Sequence, residues 1–330
     1  MTIGFAATYL TRHGASFLIA ADCRYSGDVA VADTAIKTHS LGRTTGAVVA
    51  GDGLSVATAV ELTRGIAEDH NRQQPETPIN FYSTVRLFSF FLNRIEQQSP
   101  WSLGCEVVLA GFLNNGTPAL AKVTTKPSAR AEAHVYVPKY PGSLILMVGK
   151  SDGKELIFSS IARSIEEGGP DWIQRAVGTI CYLCEHEGER TIGGAPSVAV
   201  CARNEAMYWP FVVAGDRTYL RGFDMTASMP ASPPVPGDDR LHVQYDQAWH
   251  ARADQDRVAA PVLLDEGYGY VSRHVDDWIQ ASDALNFWGE HDVLRAPPDL
   301  EAPQRVVAIY RPGEVAGTVL AEKTKPTDLP

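Results

Sequence analysis

Met1-Thr2-Ile3-Gly4-Phe5-Ala6-Ala7-Thr8 opens the chain, and Ser16-Phe17-Leu18-Ile19-Ala20-Ala21-Asp22-Cys23-Arg24 follows a polar stretch from Leu10 to Gly14. Two apolar runs joined by polar residues, the second closing on an acid, predict a β-hairpin at the start of the chain. Thr2 becomes the first residue if Met1 is removed, which a side chain as small as threonine permits. A free N-terminal threonine carries a hydroxyl nucleophile and an α-amine of pKa about 7.7–8.0, able to serve as its base.

Working outward, Ile36 to Leu41 and Thr45 to Ala50 flank a Gly42-Arg43 turn, and a Gly51-Asp52-Gly53 bend follows. Two helices are expected next. Leu54 to Asp69 brings Val56, Val60, Leu62 and Ile66 to helical spacing with Ser55 as N-cap, and Pro75 and Pro78 then break the chain. Asn80 to Gln97 sets Phe81, Val85, Phe88, Phe91, Leu92 and Ile95 on one broad face, a stripe for a core and not a cofactor box. Cys105 to Phe112 reads as a buried strand, Asn114-Asn115-Gly116 as a turn, and Pro118 to Thr125 as the returning strand. Ala133 to Val137 and Leu144 to Val148 add strands. A helix over Asp152 to Glu167 stops at Gly168-Gly169-Pro170, and a second covers Trp172 to Glu185. Ser197 to Ala202 and Ala206 to Val213 are the closing strands, after Gly193-Gly194. Helix pairs set between groups of antiparallel strands predict an α+β layered sandwich.

Composition changes after Gly215, so residues 1–215 form one expected domain and 216–330 a linker with a C-terminal extension. Ser228 to Asp239 is proline-rich and suits neither helix nor strand. Trp249, Tyr268, Tyr270, Trp278, Phe287 and Trp288 predict ordered structure beyond it, with a strand over Val306 to Tyr310 and fraying from Lys323 to Pro330.

Of the 330 residues 45% are apolar and 21% charged, the balance of a soluble globular protein. A net charge of −10 disfavours nucleic acid or an anionic membrane as partner. No apolar run is long enough for a membrane span and no signal-peptide pattern opens the chain, so a cytoplasmic location is expected. Five cysteines, an odd count placed mostly in apolar segments, argue against a disulfide framework. Cys181-Tyr-Leu-Cys184-Glu-His186 has the spacing of a zinc half-site. It falls on a predicted helix with no second ligand pair, so buried cysteines are the expectation, with neither metal nor cofactor. Cys23 follows Asp22 without an identifiable base. Gly51-Asp52-Gly53 lacks the Gly-Lys-Ser/Thr helix start of a phosphate loop.

From Thr2 to Val213 the order of these segments resembles the proteasome β-subunit and HslV family of N-terminal-nucleophile (Ntn) hydrolases. The resemblance implies a four-layer αββα sandwich with a C-terminal extension, acting on a peptide or small amide through a Thr2 acyl-enzyme, and assembly into homo-oligomeric rings. Thr2 matches the family's nucleophile, Asp22 the acid closing the second strand, Lys37 the lysine beneath the nucleophile, and Gly51 the oxyanion donor through its N–H. Arg24 and the pair Gly193-Gly194 match supporting positions. The first hairpin is longer than the family pattern. Gly149-Lys150-Ser151 stands for Gly-Ser-Gly, Glu189 for an aspartate, and Ile192 for a serine. These departures keep two alternatives open: an amide-forming or acyl-transfer enzyme on the same fold, and a non-catalytic proteasome-like scaffold subunit.

Overall fold

The computed structural model describes residues 2–243, apart from 12–13, 27–30, 34, 77–78, 99–103, 127–130, 139–143, 151–152, 155, 158–159, 162–171, 187–191, 204 and 236–238, and also residues 270–274. The protein is a mixed α+β structure of several mainly antiparallel sheets, with three helices of defined bounds among the described residues.

The opening hairpin is β1 (Ile3–Thr11) and β2 (Gly14–Ala21), followed by the short pair β3 (Tyr25–Ser26) and β4 (Val31–Ala32). β5 (Thr38–Gly42) and β6 (Thr45–Gly51) lead into α1 (Gly53–Gln73) and α2 (Phe81–Gln98). Then come β7 (Cys105–Phe112), β8 (Pro118–Thr124), β9 (Glu132–Pro138) and β10 (Leu144–Gly149), and α3 (Trp172–His186). The remaining strands are β11 (Ser197–Ala202), β12 (Val212–Ala214), β13 (Arg217–Leu220), β14 (Phe223–Asp224), β15 (Leu241–Val243) and β16 (Tyr270–His274).

One sheet has the order β10-β1-β2-β11 and another β16-β9-β8-β7-β6-β5. The central strands β1, β2, β6 and β7 are largely apolar on both faces because both faces are covered. In β6, Ala47 and Val49 point to the core shared with α1 and α2, while Val48 and Ala50 point to a core shared with the other sheet. β7 repeats the division, with Val107 and Leu109 toward the helices and Val108 and Ala110 toward the sheet. In β1 and β2, Ile3, Phe5, Leu18 and Ala20 face a third core with α3, and Ala6, Phe17 and Ile19 face the six-stranded sheet.

Two local expectations are corrected. The N-cap of α1 is Asp52, not Ser55: its carboxylate accepts from the N–H groups of Leu54 and Ser55, satisfying donors that open every helix. Nor is Ala206 to Val213 one strand. Tyr208 makes a single bridge to Val200 on β11, Pro210 has no N–H to donate, and β12 begins at Val212 in a separate sheet with β13 and β15.

The β12–β13 hairpin turns about Gly215, and Val212, Tyr219 and Val243 all enter the core against α3. Residues 228–235 are neither helix nor strand. β16 adds an edge strand to β9, so part of the C-terminal segment joins the main sheet. Most of the helix expected over 152–167, and Trp249, Tyr268, Trp278, Phe287, Trp288, Val306–Tyr310 and 323–330, lie outside the described residues.

Phe88 on α2 is fully buried in the core between helices and sheet. Truncation leaves a cavity this close-packed layer cannot refill, so Phe88→Ala is expected to cost about 3–5 kcal/mol by urea denaturation.

Candidate functional site

The register of the first hairpin positions the site. Thr11 pairs with Gly14 at the turn, Gly4 with Ala21 at the open end, and the next step brings Asp22 N–H onto the Ile3 carbonyl at 3.1 Å. This register leaves Thr2 next to the Asp22 pairing.

Asp22 is completely buried, and its carboxylate is surrounded by donors from separate segments. Oδ1 accepts from Ile3 N–H at 3.0 Å, and Oδ2 from Arg24 N–H at 3.2 Å and Gly193 N–H at 3.4 Å. Lys37 Nζ lies 2.9 Å from both oxygens. Burial raises the pKa of Asp22, and the Lys37 ammonium and the N–H groups of Ile3 and Arg24 work against that rise. Lys37 is itself buried just before β5, and its carbonyl accepts from Val49 N–H on β6 at 3.0 Å. A charged pair is thus held away from water beside the backbone that begins β1.

Thr2 is buried, and its carbonyl accepts from Lys150 N–H at 3.0 Å. Lys150 contributes its backbone here. Gly51 ends β6 in an exposed position two residues beyond the Val49 contact with Lys37. Its φ of +109° suits glycine, and a Cβ there would meet Gly104 O at 2.5 Å. Asp52 N–H donates to that same carbonyl at 3.2 Å, fixing the bend between β6 and α1.

Arg24 ties the rim together. Its guanidinium donates to Asp33 through Nε at 2.6 Å and Nη2 at 3.0 Å, and to the Ile192 carbonyl through Nη1 at 3.1 Å. Gly193 receives Cys23 N–H on its carbonyl at 3.2 Å, and Gly194 packs against the backbone of Cys23 and Asp33. Asp33 escaped the sequence reading. The β3–β4 ladder that brings Arg24 and Asp33 level, pairing Tyr25 with Ala32, is too short to leave a periodic signal.

The structure thus joins Asp22, Lys37, Arg24 and Gly193 to the Thr2–Ile3 backbone by hydrogen bonds, with Gly194 and Gly51 on the adjoining turns. Glu189 lies outside the described residues. Cys23 is buried, and desolvation together with the Asp22 charge pushes its thiol up to about 12, so little thiolate exists near neutral pH. Burial likewise raises Cys184 and Cys181, both on α3. Among the described residues no group of His, Cys, Asp and Glu is arranged to hold a metal ion, and no helix is long and apolar enough to cross a membrane.

No protein-family model matches the chain, and a search of curated proteins finds no match.

Lys37→Met strands the Asp22 carboxylate in the interior. Breaking one side of a buried pair costs about 3–5 kcal/mol, and the Asp22→Asn/Lys37→Met double variant is expected to recover part of that loss in urea denaturation.

Proposed function

We propose that this chain is an Ntn amidohydrolase of the proteasome β-subunit and HslV type, built as a four-layer αββα sandwich. Thr2, made terminal by loss of Met1, is its nucleophile toward a peptide or small amide. The observation that carries this reading is the buried Asp22–Lys37 pair bonded to Ile3 N–H, one residue from Thr2. Assembly into homo-oligomers belongs to the same reading.

In the mechanism, the Thr2 α-amine takes the proton from Oγ as Oγ bonds to the amide carbonyl carbon. The Lys37 ammonium lowers the energy of negative charge on Oγ, and Asp22 holds that ammonium in place. Gly51 N–H meets the oxyanion, a contact worth about 3–4 kcal/mol when well aimed. The C–N bond breaks, the leaving amine takes the proton from the α-ammonium, and an ester remains on Thr2. Water then adds with the amine again as base; the C–Oγ bond breaks, the proton returns to Oγ, and the acid leaves.

One observation favours a second outcome. Ile192, at the position of a serine that supports the α-amine in the family, is fully buried and apolar, so it offers that amine no side-chain hydroxyl when it must activate water. An amine would then intercept the ester and form a new amide, which product analysis with and without added amine distinguishes.

Intact mass of the purified protein, before and after treatment with an electrophilic β-lactone, tests the nucleophile. The expected result is loss of one methionine and then a single adduct, absent in Thr2→Ala. Retained Met1 with no adduct would sink this mechanism and favour the scaffold alternative.

A further inference from the structure

Glu106 is the polar exception in an otherwise apolar strand. Alternation along β7 places it on the face of Val108 and Ala110, toward the four-stranded sheet. There its carboxylate crosses between the sheets. Oε2 accepts from Gly149 N–H at 2.9 Å, at the end of β10. Lys122 Nζ on β8 lies 3.0 Å from Oε1, and Lys154 Nζ lies 3.2 Å from Oε2. Burial would raise the Glu106 pKa, but Lys122, Gly149 N–H and Lys154 together hold it below the usual carboxylate value.

Gly149 is the point where this network meets the start of the chain. It pairs with Ile3, and its φ is +102°. A Cβ there would overlap the Thr2 carbonyl oxygen, so only glycine lets β10 approach so closely. Lys150 N–H then donates to that same carbonyl at 3.0 Å, while Lys154 N–H donates to Lys150 O at 3.1 Å. A continuous path therefore runs from Glu106 to Gly149 N–H, through the Gly149–Lys150 peptide, to the Thr2 carbonyl. Asp22 grips Ile3 N–H from the other side.

We infer that Glu106 is a positioning residue that fixes the Thr2 backbone from the opposing sheet, with Lys122 and Lys154 clamping its carboxylate. It touches no reacting atom, and its role rests on the Thr2 mechanism proposed above. A reacting group displaced by about 1 Å can lose on the order of 100-fold in rate. Removing this support is therefore expected to slow acylation without weakening prior binding.

The test is the rate of β-lactone adduct formation as a function of lactone concentration, read by intact mass and peptide mapping. Glu106→Ala is expected to lower the limiting rate by about 10- to 100-fold with the half-saturating concentration unchanged. Glu106→Gln keeps an oxygen acceptor for Gly149 N–H and is expected to stay close to wild type. Glu106→Leu/Lys122→Met removes the carboxylate without stranding the Lys122 ammonium. It guards against a folding defect in Glu106→Ala and is expected to label as slowly while melting like wild type. Wild-type protein that labels at Thr2, with Glu106→Ala and the double variant equally fast, overturns the inference and leaves the nucleophile standing. A changed half-saturating concentration at an unchanged limiting rate overturns it as well, as does Glu106→Gln slowed to the level of Glu106→Ala. Wild-type protein with no adduct at Thr2 overturns the underlying reading itself.

Discussion

A carboxylate and an ammonium, both nearly sealed from water, set the conditions for this end of the molecule. Asp22 and Lys37 lose their hydration on folding, and that loss is tolerable only where the surroundings supply hydrogen bonds. The donors come from the first residues of β1, the exit of β2, the segment before β5 and the turn at Gly193. An apolar pair of similar volume could hold these segments as firmly. What the ionic pair adds is a lysine ammonium held on the same carboxylate that bonds Ile3 N–H, and the proposed chemistry depends on it.

The layered core explains why these charges gather at one end. The central strands of both large sheets are buried on each face, so the interior between helices, sheet and sheet is filled by Val, Leu, Ile, Phe and Ala. Polar side chains inside such a stack need a partner. Asp22 and Glu106 satisfy that requirement from opposite sheets, one at the exit of β2 and one at the entry of β7. Both do so by holding backbone next to Thr2, so the start of β1 is gripped from two directions although its side chain is small.

Much of the fold was legible because apolar runs ended at clear turn residues. Cys105–Phe112 and Ser197–Ala202 coincide with their expected bounds, and α2 shifts by one residue at each end. What stayed hidden depends on contacts that periodicity does not encode. Asp52 displaces Ser55 as the cap of α1 because the bend after Gly51 presents its carboxylate to the first free N–H groups. The composition change after Gly215 falls in the middle of a hairpin, since β12 and β13 are too short to register as strands. For the site, Asp22 and Lys37 stand out in sequence only through resemblance, for a lone acid and a lone lysine predict no pairing. Asp33 and Glu106 gave no signal at all: their partners, Arg24 and Gly149, are brought to them by strand register and by sheet packing.

The proposed mechanism makes Thr2 the nucleophile and Gly51 the oxyanion donor. A crystal structure of the protein after reaction with the β-lactone addresses both at once. The expected structure has lost Met1, carries an ester between the acyl carbon and Thr2 Oγ, and places the acyl oxygen about 2.7–3.1 Å from Gly51 N. Met1 still attached, or the acyl group on Cys23, Lys37 or any other side chain, would contradict it.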